Sequence, residues 1–236
     1  MKNKSIILSS ILLSFAVCTT SFTLFKTNNI ETSSIIKKEI IDEVKIGKQV
    51  WMSKNLEVTT FSNGEIIEEA KDSKAWRNAG KEGRPAWCYY MFKEENGKVY
   101  GKIYNWFAVN DPRGLAPKGW RVPSIADWET LVEALGGESV AAPKMKSTYD
   151  WGGNTNGDNS SGFNGLPGGY QNDAAGFYSN MHADAFWWTS TESNDKMACY
   201  FDVAHTNKIY YNSTTSKYKN SHAKKLAGLY VRCVKN

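Results

Sequence analysis

Two short runs in which apolar and polar residues alternate, Val44-Lys45-Ile46 and Gln49-Val50-Trp51, flank Gly47-Lys48, and this pattern predicts a hairpin. Helical spacing appears later: Ile125, Trp128, Leu131, Val132 and Leu135 follow Ser124, with Asp127 three residues on and Gly136-Gly137 behind. An N-cap, an acidic third position and a glycine stop predict the one long helix of the chain. Residues 138–147 add a broken helical turn, limited by Pro143. Residues 152–176 hold eight glycines in 25 positions, interleaved with Asn, Asp and Ser, a composition for a long loop held by packing. Four strand-like runs follow, over residues 186–190, 199–203, 208–211 and 228–234. Hairpin, helix, loop and late strands, in that order, predict an α+β domain with a small antiparallel sheet, one main helix and long ordered loops.

The first residues obey a different pattern. Met1-Lys2-Asn3-Lys4 is a positive start, and residues 5–17 are an apolar stretch of 13 residues, too short to span a bilayer and suited to a signal peptide. Export is the expectation, with residues 1–18 as the signal. Phe15-Ala16-Val17-Cys18 resembles a lipoprotein box, with Val17 where a small residue usually stands. Lipidation of Cys18, cleavage at Ala16 or Ser21, and an uncleaved anchor over residues 6–25 all remain open. The first and last attach the protein to the membrane, facing the outer surface or the periplasm; the second secretes it. All 19 Gly, six Pro and nine Trp fall after residue 43, so residues 19–43 read as a tether and residues 44–236 as one domain.

A mean hydropathy of −0.49, with no long apolar run beyond residue 25, excludes a polytopic membrane protein. The net charge of +5 is spread without any basic cluster longer than a pair such as Lys224-Lys225, which argues against nucleic acid.

No catalytic constellation emerges. His182, His205 and His222 are scattered, and no nucleophile-elbow, zinc-protease or phosphate-loop spacing occurs. Glu129 and Glu133, four apart on the predicted helix, read as its solvated face, and Cys199 as a small buried hydrophobe. No enzyme and no cofactor are therefore expected. Asn154, Asn156 and Asp158 place side-chain oxygens at alternate positions, as a calcium loop does, but lack the closing Glu, and the same residues make turns by bonding their own backbone. The chain is rich in aromatic residues, with nine Trp and 12 Tyr. Most belong in the core. Those left for an exposed patch around the glycine-rich loop are Trp151, Tyr170, Phe177, Tyr178 and whichever of Trp187 and Trp188 strand alternation turns outward. The expected function is a non-catalytic surface module that recognises a polysaccharide or a surface protein through residues 150–190; the alternative is a structural envelope protein.

Several motifs follow one another in a recognisable order: Val44-x-Ile46-Gly47-x-Gln49-x-Trp51-Met52 with Asn55-Leu56, Trp87-Cys88-Tyr89-Tyr90, Tyr100-Gly101-x-x-Tyr104-Asn105-Trp106, Gly119-Trp120-Arg121-Val122-Pro123-Ser124, Leu166-Pro167-Gly168-Gly169-Tyr170, Trp187-Trp188-Thr189-Ser190-Thr191-Glu192 and Val231-Arg232-Cys233-Val234. Together they resemble the Fibrobacter succinogenes major paralogous domain family, from about Val44 to Val234. The resemblance implies a bacterial, exported, often lipidated protein with a fold similar to the C-type lectin and formylglycine-generating-enzyme group. It implies no established activity; an enzyme of the formylglycine-generating type is the remaining alternative. Cys88 and Cys233 both lie inside these motifs, so the resemblance implies a disulfide between them, with Cys199–Cys233 as the other pairing.

Overall fold

In the computed structural model, which describes residues 41–172, 178–211 and 221–236, the first alternating runs pair as their pattern predicts. β1 (Glu43–Ile46) and β2 (Gln49–Met52) form an antiparallel hairpin. Gly47 turns it with φ +58°, and a Cβ there would stand 2.7 Å from that of Ala134, so both backbone and neighbour require glycine. The folded body starts before residue 44: the Asp42 carbonyl accepts from the Ser53 amide at 2.9 Å, and its carboxylate pairs with Lys54. The signal segment, Cys18 and nearly all of the tether lie outside the described residues. No helix among the described residues is long and apolar enough to cross a membrane.

The chain continues through β3 (Glu68–Glu69), α1 (Ser73–Lys81), β4 (Ala86–Cys88), α2 (Glu94–Tyr100), β5 (Ile103–Asn105), α3 (Trp106–Val109) and β6 (Trp120–Arg121) to α4 (Ile125–Ala134) and α5 (Glu138–Met145). Then come β7 (Gly168–Gln171), β8 (Tyr178–Met181), β9 (Asp184–Asn194), β10 (Met197–Ala204), β11 (Ile209–Tyr211), β12 (His222–Lys224), β13 (Gly228–Leu229) and β14 (Val234–Lys235). One sheet has the order β1-β2-β14-β6. The other runs β11-β10-β9-β7-β13-β5-β4-β3, with β12 also on β10 and β8 on β7. The α+β expectation holds, but the sheet is large rather than small, and two of its pairings, β3–β4 and β7–β9, are parallel.

α4 is the predicted helix, with Ser124 and Asp127 exchanging hydrogen bonds in a full capping box. It is not alone. α1 starts at an Asp72 cap and buries Trp76, Ala79 and Gly80, an apolar face too small to stand out in the sequence. α5 runs through Pro143, which falls near its end.

α4 packs on β9 and β10, and α5 on β11. Under α4 the rings of Trp51, Trp128, Phe163, Trp187 and Phe201 meet; Trp128 stacks on Phe201 with centroids 4.1 Å apart. A second cluster holds Trp106, Trp188, Leu229 and Val231. β9 contributes to both. Trp187 and Trp188 therefore do point to opposite faces, as alternation demands, but both faces are covered, so neither ring is outside.

The expected disulfide does not form. Cys88 belongs to the first cluster and its thiol donates to Gln171 Oε1 at 3.1 Å, whereas Cys233 belongs to the second, where burial pushes its thiol up to about 12. Cys199 is buried with the first cluster, and no disulfide joins it to Cys233 either. Their motif positions reflect two separate packing roles rather than one bridge.

Candidate functional site

On the outer part of the large sheet, residues from β7 to β12 line a cleft of about 430 Å³. Register builds it. Tyr200 faces Trp188, Asp202 faces Phe186 and Ala204 faces Asp184, so Asp184, Phe186, Tyr200 and Asp202 share one face. Intervening Trp187 and Phe201 turn to the other face, into the core beneath α4. Tyr170 on β7 and Tyr210 on β11 extend the wall to either side, and Asn180, Ser221 and His222 add polar atoms. Tyr170 meets Phe186 edge to face at 4.9 Å and Phe186 meets Tyr200 at 5.7 Å, forming an aromatic ladder across three strands.

The two carboxylates differ in setting. Asp184 accepts from Asn180 Nδ2 at 2.5 Å and lies 3.4 Å from His205 Nδ1. Asp202 is only 6% exposed, and among the described residues nothing donates to its Oδ1. Burial, then the charge of Asp184, push the Asp202 carboxyl well above the usual range, against the pull of the Tyr210 backbone N–H. The same surroundings raise the Tyr200 phenol, burial first and Asp202 next.

A raised carboxyl has a defined sign in linkage. Above the ordinary value of 3.8 the unfolded chain releases the proton that folded Asp202 retains, so this group's contribution to stability falls as pH rises towards its native pKa. Asp202→Asn is expected to flatten that decline. Urea unfolding followed from pH 4 upward checks it, and an unchanged slope would show that Asp202 ionises as freely in the native protein as in the unfolded one.

The residues expected to form a patch do not come together. Trp151 is 4% exposed, Trp187 1% and Trp188 0%. The Trp151 indole donates to Ser147 Oγ and the Gly165 carbonyl, and the Lys146 ammonium stands 4.3 Å from its ring centroid. Gly165 and Phe163 of the glycine-rich segment meet Trp151 and Trp187, while Trp188 is enclosed in the second cluster, its indole donating to the Tyr104 carbonyl. Tyr178 is partly exposed but packs on Tyr90 and Phe92, away from the cleft. Phe177 lies outside the described residues. Of the described members of the expected patch, Tyr170 alone lines the cleft.

The Asn/Asp loop spends its oxygens on turns. Asn156 Oδ1 accepts from the Trp151 amide, and Asp158 Oδ1 from the Ser160 amide, while Asn154 takes φ +58°. Asp184 and Asp202 went unnoticed in the sequence. The available signal was Asp202 inside an otherwise apolar strand run, on the same face as Tyr200. The scattered histidines are not idle: His182 lies 2.9 Å from Asp150, which also accepts from Tyr100 at 2.5 Å.

The sequence model of the Fibrobacter succinogenes major domain matches residues 44–235. No curated protein and no solved structure matches the chain.

Proposed function

We propose that this chain, which belongs to the Fibrobacter succinogenes major domain family, is an exported, membrane-attached binding module whose ligand is a carbohydrate held in the cleft of β7 to β12. The observation that carries the reading is the ladder of Tyr170, Phe186 and Tyr200 beside hydrogen-bonding Asp184, Asp202 and Asn180. Aromatic walls suit the C–H faces of sugar rings, and carboxylates and amides suit their hydroxyls. The signal-like first 18 residues support export. Within the same reading the fold is C-type-lectin-like, supported by β14 joining β1 and β2 in one sheet and by the long ordered segment between α5 and β7.

The test is a binding screen of the protein against soluble and insoluble polysaccharides. Tyr170→Ala is expected to weaken any hit about 10-fold with the thermal melt unchanged. Binding that is indifferent to Tyr170→Ala would move the site elsewhere, and no binding to any glycan would favour the structural envelope role.

Glycoside cleavage is a second reading, favoured by the raised Asp202 carboxyl beside a second carboxylate, an arrangement that general acid catalysis uses. Release of new reducing ends from a bound glycan would select it. Cys199 and the Glu129/Glu133 pair do not enter this reading, since the thiol is buried and the two glutamates lie on α4 and do not line the cleft.

A further inference from the structure

We infer that the cleft selects a sugar bearing a free primary amine, its ammonium held by Asp202 and Asp184 against the edge of the aromatic ladder; the inference rests on the carbohydrate reading above. Among the described residues the lining contains two carboxylates and neither lysine nor arginine. Asp184 already has Asn180 and His205, so its place is held from outside. Asp202 is the incomplete member: it is hidden from solvent, it lines the cleft, and its Oδ1 receives no hydrogen bond from any described residue. A hydroxyl or acetamide N–H could reach that oxygen but would do nothing to offset the charge of Asp184, which itself raises the Asp202 carboxyl, whereas an ammonium supplies three donors and the opposite charge.

Two further observations narrow the cation. The described residues bring no group of three His, Cys, Asp or Glu side chains together for a metal ion. Tyr170, Phe186 and Tyr200 present the kind of rings that attract an organic ammonium. General attraction of polycations is not the explanation, because the protein itself carries a formal charge of +5.

Binding has a proton balance. Burial raises the Asp202 carboxyl, so where it carries a proton before the ligand arrives, that proton passes to solvent as the ammonium takes its place, and the carboxylate is then paired. Among the described residues the other titratable groups lining the cleft with it are Asp184 from β9, Tyr200 on its own strand, Tyr210 from β11, His222 from β12 and Tyr170 from β7.

The test uses β-1,4-linked tetramers of glucosamine, N-acetylglucosamine and glucose, alike except for the substituent at C2. Calorimetry on the protein in two buffers of different ionisation enthalpy gives affinity and proton release together. The glucosamine tetramer is expected to bind about 30-fold tighter than the other two, with proton release. Asp202→Asn should abolish both the preference and the release, and Asp184→Asn serves as the second variant should the first fail to fold. Equal or tighter binding of the acetylated or neutral tetramer would overturn the amine inference and leave the carbohydrate reading standing. No binding of any tetramer, with no glycan binding in the wider screen, would overturn both.

Discussion

Trp187→Ala should lower the free energy of unfolding by about 3–5 kcal/mol, visible as a fall in the urea midpoint with the slope of the transition kept. The indole is enclosed by Phe163, Trp128 and Phe201, with centroids 5.5, 5.8 and 6.4 Å away, and its Nε1 donates to Asn55 Oδ1 at 2.8 Å. Removing it opens a cavity between α4 and β9 and leaves one acceptor with fewer donors. A typical domain holds about 5–15 kcal/mol in all, so this one change takes much of the margin. A loss below about 1 kcal/mol would contradict the core placement. The distinction matters for any binding assay: lost binding in Trp187→Ala reports unfolding, whereas lost binding in Tyr170→Ala reports the cleft.

Arg232→Ala is expected to cost a similar amount, about 3–5 kcal/mol, from the cavity and from buried acceptors left without donors. Arg232 is 1% exposed. Its guanidinium donates to Asn55 Oδ1 from two nitrogens, at 3.1 and 2.8 Å, and to the Phe163 carbonyl at 2.5 Å, while its Cζ lies 4.5 Å from the Phe163 ring centroid. One side chain thus ties the segment after β2, the glycine-rich segment and the C-terminal segment together. Among the described residues its hydrogen bonds end on an amide and on carbonyls rather than on a carboxylate, so the flat fork matters as much as the charge. Arg232→Lys should therefore recover only part of the loss, remaining about 2 kcal/mol below the parent in the same titration. Full recovery by lysine would mean that charge alone is required.

What was legible in the sequence was local. The β1–β2 hairpin, the capped α4 and the strands now seen as β9, β10 and β11 each announce themselves within a dozen residues, because turn, cap and alternation are short-range devices. Alternation also separates Trp187 from Trp188 correctly, yet it does not show that β9 is covered on both sides at these two rings, so by pattern alone one of them reads as free for a ligand. The cleft was hidden for a related reason. Asp184 and Asp202 are 18 residues apart, and only the antiparallel register of β9 on β10 brings them to the same face. Arg232 and Asn55 were visible as motif residues, but their partnership spans 177 positions and no local rule predicts it.

The position of β14 bears on the order in which the protein can fold. Val234 pairs with Trp51 on one side and Arg121 on the other, 183 and 113 positions earlier in the sequence. Until it has been synthesised, the sheet of β1, β2 and β6 lacks its middle strand, and the β1–β2 hairpin alone is too small to persist in water. Completing this sheet therefore joins strands far apart in the sequence, a non-local pairing of the kind that slows folding and that leaves the edges of β2 and β6 open until β14 arrives.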